Sequence, residues 1–307
     1  MPKAYAYTRH GGPETETFVD VERPSPGPGQ VLVAVCAAGV NPVDWKLRTG
    51  LRRPGDTGEP SFPVVFGSEV AGVVEEVGEG VTGFTAGDAV FGNTVSGGYA
   101  EYALLPAAVT AHLPAELSFT AAAVLPVAAA TAYDGVRQLG LAAGATLLVT
   151  GAGGGVGVAT VQIARAFGLR VVGTASEGKK DFVEELGAVH IASGPDLVAR
   201  VRAAVPQGVD GVYDLVGGDV LEEAATLPAD RSKVISAAAR QEVERLGGAP
   251  VRRARTAAVL DEVARLVVRG DLAPHVTRTF PLERADEALR VVEEGHARGK
   301  VVIEVGA

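Results

Sequence analysis

The sequence predicts an α/β protein of two domains, a β-rich unit with a doubly wound parallel-sheet domain inserted into it. Three observations predict this class. Up to residue 118, short β-branched runs alternate with Gly/Pro turns. Beyond it, apolar strands alternate with helical stretches of about 10–15 residues, the rhythm of a parallel sheet covered on both faces. The closing run GKVVIEVGA is again a lone strand, whose most economical partner is the N-terminal unit. The expected boundaries are 1–118 plus 271–307 for the β-rich unit and 119–270 for the insert. A chain of 307 residues is long enough for both.

In the first unit the strand candidates are VLVAV (31–35), EVAGVVEEVG (69–78), DAVFG (88–92) and GYAEYALLP (98–106), with RPSPGPGQ (23–30) as a surface turn. The insert opens with TLLVT (146–150) and a helix to about residue 167. There follow RVVGTA (170–175), a helix GKKDFVEELG (178–187), VHIA (189–192) and a helix PDLVARVRAAV (195–205). VDGVYDLV (209–216), SKVISAA (232–238) and a long helix TAAVLDEVARLVVRG (256–270) complete it.

Composition narrows the class of function. Apolar residues make up 47% and charged ones 21%, as expected of a globular protein in water. The net charge of −9 and the lack of a basic cluster argue against nucleic acid; VRRAR (251–255) reads as the solvated start of a helix. One cysteine, Cys36, excludes an intramolecular disulfide and a Cys-rich zinc site. No signal-like leader is expected, and no membrane span, since AAAVLPVAAATAY is short and broken by Pro126. The default expectation is a cytoplasmic protein.

The insert's chemistry lies in TGAGGGVGVATVQ (150–162). Five of the seven residues from Gly151 to Gly157 are glycine, between an apolar strand and an apolar helix. The spacing is G-x-x-G-x-x-G, on Gly151, Gly154 and Gly157, rather than G-x-G-x-x-G. In a strand–loop–helix setting such glycines let backbone N–H groups approach a pyrophosphate at a helix N-terminus. Gly151, Gly153, Gly154, Gly155 and Gly157 are therefore assigned to dinucleotide binding. Strand 170–175 leads into GTASEGKK, with no acid in the position that bonds a ribose 2′-hydroxyl in NAD-preferring folds. Ser176, Lys179 and Lys180 are instead suited to a 2′-phosphate, and NADPH is the expected cofactor. Glu177 opposes that assignment if it points inward. The bland alternative makes both lysines a solvated helix start.

Taken together, AAGVNPVDWKLRTG (37–50), PVVFGSEVAGVVEEVGEGV (63–81), GGYAEYALLP (97–106), TAYDGV (131–136), VTGAGGGVG (149–157) and GHARGKVVIEV (295–305) resemble the zinc-independent medium-chain reductases of the quinone oxidoreductase group. The likeness covers nearly the whole chain. It implies a GroES-like β domain, an inserted Rossmann-type domain and a homodimer. Zinc-dependent relatives carry Cys where this chain has Asn41 and His where it has Ser68, and neither replacement is a usual zinc ligand. No metal site is therefore expected. The resemblance places Asn41 beside the nicotinamide, with its amide toward the ribose or a substrate oxygen, and Asp44 in the same loop. It puts Thr131 at the nicotinamide end and packs Val156 beneath the cofactor; Val216, closing 209–216, completes the cofactor-binding set. Turn formation by Asn41 and packing by Asp44 and Thr131 are the structural alternatives.

Two departures stand out. Enoyl-reducing relatives use a tyrosine shortly after the RxG turn as proton donor, where this chain has Leu51 and no tyrosine in LRRPGDTGEPSFP. The stacking tyrosine after the third strand is replaced by HIASGPD. Tyr99, Tyr102 and Tyr133 are expected to pack, His112 and His275 to sit near turns, and His296 is a tail residue that could approach the cleft between the domains. The expected activity is NADPH-driven hydride transfer to a quinone or an α,β-unsaturated carbonyl. A non-catalytic NADPH-binding redox sensor or structural protein is the alternative, and a zinc-less alcohol dehydrogenase ranks below both.

Overall fold

Strands form where β-branched residues cluster. The computed structural model describes residues 1–52, 58, 60–295 and 297–306. The strands in chain order are β1 (Lys3–Tyr7), β2 (Glu16–Asp20), β3 (Gln30–Val40), β4 (Val64–Val65), β5 (Glu69–Val77), β6 (Ala89–Asn93), β7 (Tyr102–Pro106) and β8 (Thr110–His112). After them come β9 (Thr146–Val149), β10 (Arg170–Ala175), β11 (Val189–Ala192), β12 (Gly211–Asp214), β13 (Val234–Ser236), β14 (Ala249–Pro250), β15 (Val276–Pro281) and β16 (Lys300–Glu304). The chain divides into two units. One holds Met1–Val127, Arg255–Ala264 and Val276–Ala307; the other holds Ala128–Ala254 and Arg265–His275.

In the first unit a sheet runs β15-β16-β3-β5-β6-β8, with β7 also paired to β3, beside a small sheet β2-β1-β4. β3 is longer than the expected 31–35 run. Register shifts at Leu32/Val33 and Val35/Ala37 let it bend and serve both β5 and β7. The lone C-terminal strand finds its partner there: β16 pairs antiparallel to β3, with Val301 opposite Val40. Burial of Val33, Val70, Val90, Leu105, Leu289, Val301 and Ile303 forms the core of this unit. The same pairing brings Lys300 next to the end of β3.

The second unit is a six-stranded sheet ordered β11-β10-β9-β12-β13-β14, every pair parallel. Counted within the unit this is 3-2-1-4-5-6, the doubly wound order that binds ligands at the carboxyl ends where the order reverses. The reversal falls between β9 and β12. Leu147, Leu148 and Val149 are fully buried in β9, as a central strand covered on both faces must be.

Two expectations need correction. VRRAR does not start a helix; residues 251–256 are irregular, Arg255 takes φ 48°, and the helix begins at Ala257. The cause is local: Asp134 accepts from Ala254 N (2.8 Å) and Gln138 from Arg252 N (2.8 Å), so this backbone is bound outward to the helix Ala130–Leu139 rather than to itself. Pro126 does not break its apolar run either. Leu125–Ala129 forms a π-helical turn, which accommodates a ring that removes an α-helical donor. The helical stretch Phe119–Leu139, α-helical at its two ends with this turn between them, is long and apolar enough to cross a membrane by length and composition. Its 18-residue apolar window is 72% buried inside the protein, so it is a core helix here.

Candidate active site

The glycine loop follows β9 and is built by backbone. Gly151 takes φ 69°, a left-handed turn that an L side chain resists. Its N–H donates to Thr174 Oγ1 (3.2 Å) and Ala152 N donates to Thr174 O (2.8 Å), which ties the turn to the end of β10. A Cβ on Gly157 would lie 2.2 Å from Gly151 O, so the helix Gly155–Ala166 sits directly on the turn. By contrast, a Cβ on Gly154 would meet only Gly151 O at 3.5 Å, leaving that side open. Gly154 is the helix N-cap and supplies no side-chain cap, so first-turn N–H groups stay available to an anion. These residues fit a dinucleotide pyrophosphate. Gly155 and Val156 are half-buried in the first turn.

Around the loop, Lys179 donates from Nζ to Gly153 O (3.2 Å), placing an ammonium against the turn. Ser176 is exposed at the end of β10 and makes no cap hydrogen bond; Glu177 and Lys180 are exposed beside it. Val216 is 51% exposed, and its Cγ2 would touch a Cβ on Gly151 at 3.2 Å. Thr131 is buried, and its carbonyl accepts from Tyr213 OH (2.7 Å) on β12.

Asp214, which the sequence reading passed over, organises the carboxyl ends of three strands. Fully buried, it accepts from Thr150 Oγ1 (2.6 Å) after β9 and from Ser236 Oγ (2.7 Å) on β13. It also accepts from Val216 N and Gly217 N (each 3.2 Å), so it holds the loop that presents Val216. An acid closing an apolar strand, VYDLV, was the available signal.

In the first unit, Asn41 is the N-cap of the helix Pro42–Arg48. Asp44 Oδ2 accepts from Asn41 N (2.9 Å), the reciprocal half of a capping box. The Asn41 side chain turns elsewhere. Its Oδ1 accepts from Lys300 Nζ (2.6 Å) and its Nδ2 donates to Glu69 Oε1 (2.7 Å). Lys300 also donates to Glu69 Oε1 (3.0 Å) and Val40 O (3.1 Å), while Glu69 Oε2 accepts from Val127 N (2.7 Å). Asn41, Glu69 and Lys300 are all buried. The sequence reading missed Glu69 and Lys300, although each is a charge within an apolar strand, in SEVAGVV and GKVVIEV.

Asp44 accepts two further bonds, from Ser68 Oγ (2.8 Å) and Tyr99 OH (2.9 Å). Burial pushes its carboxyl up to about 6 despite these donors. Tyr99 stacks near Phe66 and so packs as expected, but it also holds Asp44. Burial, together with the Asp44 charge, raises its hydroxyl well above the usual tyrosine value. The far end of the helix is pinned by Arg48, which is buried, pairs with Glu16, and reaches Glu293 (2.6 Å) and Gly11 O (3.1 Å). Of the remaining expectations, His112 ends β8 and stacks on Phe84, and Tyr102 lies under Arg23. His296 and residues 53–57 and 59 of the Leu51 loop lie outside the described residues.

Residues 27–115 match the alcohol dehydrogenase GroES-like domain and residues 186–303 the zinc-binding dehydrogenase domain. The chain is 40% identical over 251 residues to the quinone oxidoreductase of Rattus norvegicus, covering 80% of this chain and 75% of that protein. The chain belongs to the quinone oxidoreductase group of the medium-chain dehydrogenase/reductase family. A second relative is the 2-methylene-furan-3-one reductase of Solanum lycopersicum, 32% identical over 98% of this chain and 78% of that one. A mycobacterial protein solved in complex with NADPH superposes with a TM-score of 0.88 at 28% identity, covering 99% of this chain and 100% of that one.

As a member of this family the protein is an oxidoreductase, and the family binds a nicotinamide cofactor. Its fold is the expected pairing of a GroES-like domain with a Rossmann-like parallel sheet. The zinc named by the second domain match does not fit the residues present. The Asn41 oxygen faces an ammonium, the Ser68 hydroxyl serves Asp44, and among the described residues no three His, Cys, Asp or Glu side chains group to hold a metal.

Proposed function

We propose that the protein is an NADPH-dependent reductase that passes a hydride to a quinone or an α,β-unsaturated carbonyl without zinc. The observation that carries this reading is the bonding of Asn41 to Lys300 and of Ser68 to Asp44; by the resemblance, these two residues stand where zinc-dependent relatives have Cys and His. With no Lewis acid to activate an alcohol, reduction of an already polarised acceptor is the chemistry left to these side chains. The rat quinone oxidoreductase and the tomato reductase, whose named substrate conjugates a methylene to a ketone, support the acceptor class. The mycobacterial NADPH complex supports the cofactor.

Bound NADPH supplies the hydride. The first-turn N–H groups at Gly154–Gly157 hold the pyrophosphate, and Gly151 and Gly153 let the loop close beneath it. Ser176, Lys179 and Lys180 receive the 2′-phosphate. Val156, Val216 and Thr131 flank the cofactor. Asn41 donates to the oxygen of the acceptor as negative charge builds there, and Asp44 keeps the helix end that carries it in place. Water protonates the resulting anion, so the missing tyrosine is not required. By the same family reading the enzyme is a homodimer, which sedimentation of the purified protein would check.

Stopped-flow mixing of the enzyme with NADPH or NADH and a panel of quinones and enones tests the proposal. Turnover is expected with NADPH on at least one acceptor. Tight NADPH binding with no turnover on any acceptor would favour the redox-sensor or structural reading, which the missing tyrosine motivates.

A further inference from the structure

We propose that Lys300 and Glu69 are positioning residues, which orient and polarise the Asn41 amide so that its second N–H is the donor to the acceptor oxygen. The proposal rests on the reading of Asn41 given above and adds what makes that amide effective.

The chemistry of the partners fixes the amide's orientation. An ammonium offers only donors and a carboxylate only acceptors. Lys300 therefore selects Oδ1 and Glu69 selects Nδ2. One Nδ2 hydrogen serves Glu69 at 2.7 Å, and the other makes only a long bond, 3.5 Å to Gly39 O among the described residues, which a closer acceptor can replace. Lys300 spends its three hydrogens on Asn41 Oδ1, Glu69 Oε1 and Val40 O, so it acts through Asn41 rather than on a substrate. The cation on Oδ1 draws electron density from the amide and strengthens Nδ2–H as a donor. Asn41, Glu69 and Lys300 are 4%, 0% and 7% exposed, so water does little to screen this effect.

The fold holds the arrangement from three sides. Lys300 comes from β16 and Glu69 from β5, on opposite flanks of β3. Gly39 must lack a side chain, since its Cβ would lie 2.2 Å from Glu69 Oε1 and 2.5 Å from Ala123 O. Val127 N holds the other Glu69 oxygen.

Lys300→Met alone would strand the buried Glu69 charge and unfold the unit. The test is therefore a cycle with the paired variant Lys300→Met/Glu69→Gln, Asn41→Ala, and all three changes together. The pair is expected to lower kcat about tenfold, as for one weakened oxyanion donor, with the NADPH Kd held within about twofold. In the Asn41→Ala background the same pair should change kcat by less than about twofold, because the group it acts through is gone. A second cycle with Lys300→Arg, which keeps the charge and moves its atoms, reads the same coupling with the buried pair intact. An undiminished kcat in the paired variant, or a full tenfold loss added on top of Asn41→Ala, overturns the proposal. Wild-type kcat in Asn41→Ala alone overturns the reading of Asn41 itself, and the proposal with it.

Discussion

The glycine loop of one unit is made almost wholly of backbone, whereas the Asn41 cluster of the other is made of side chains brought from distant parts of the chain. The loop needs residues that are absent: a missing Cβ at Gly157 lets helix and turn touch, and a missing one at Gly154 leaves donors open. The cluster needs residues that are present and mutually neutralised, with Lys300 separated from Asn41 by 259 positions. A backbone site tolerates surface change but not added atoms. A buried charged site tolerates little change of charge and depends on complete pairing.

The largest expected effect probes the charged side. Arg48→Met takes from buried Glu16 its nearest cation and leaves only Arg290, at 3.5 Å, and should cost up to about 3–5 kcal/mol of stability. Urea denaturation checks it, and a loss under about 1 kcal/mol would mean the Arg48–Glu16 pair behaves like an exposed ion pair.

Next is the pH dependence of Asp44. Its carboxyl ionises near 6 in the fold and near 4 unfolded, the folded value being raised by burial. Below the unfolded value both states hold the proton and burial carries no charge cost. As the pH rises through about 6 the folded state must bury a charge, and stability on the order of 3 kcal/mol is lost. The Tm gap between wild type and Asp44→Asn should therefore shrink from pH 4 to pH 7. A gap that widens over that range contradicts the assignment.

The backbone side comes third. Gly157→Ala forces the helix off the turn at about 1–3 kcal/mol, which should weaken NADPH binding about 10- to 100-fold by calorimetry. Gly154→Ala has room for its methyl group, so its Tm should match wild type while NADPH binding falls. Equal behaviour of the two variants would erase the distinction between packing and approach.

The smallest effect concerns cofactor choice. Ser176→Ala with Lys180→Ala should weaken NADPH about tenfold and leave NADH nearly unchanged, as expected for lost charge-assisted contacts. Equal losses for both would move the 2′-phosphate elsewhere.

How much of this was legible in the sequence follows the same division. Strands β9 to β13 and the glycine loop rest on local patterns, so spacing and periodicity disclosed them. The two-residue β14 carries no periodicity, and the irregular 251–256 segment is set by Asp134 and Gln138 more than a hundred residues earlier. Asn41 and Asp44 were named through the resemblance, but Glu69, Lys300 and Asp214 were not. Their placement depends on β16 and β5 flanking β3 and on three strand ends meeting, which no single window contains.

The proposed chemistry is hydride transfer to an activated acceptor at a site without a metal. Single-turnover stopped-flow of NADPH oxidation by a quinone, before and after exhaustive chelation, tests it most directly. Rapid oxidation at the same rate is expected in both preparations. Absence of transfer, or a rate that collapses on chelation and returns with zinc, would contradict it.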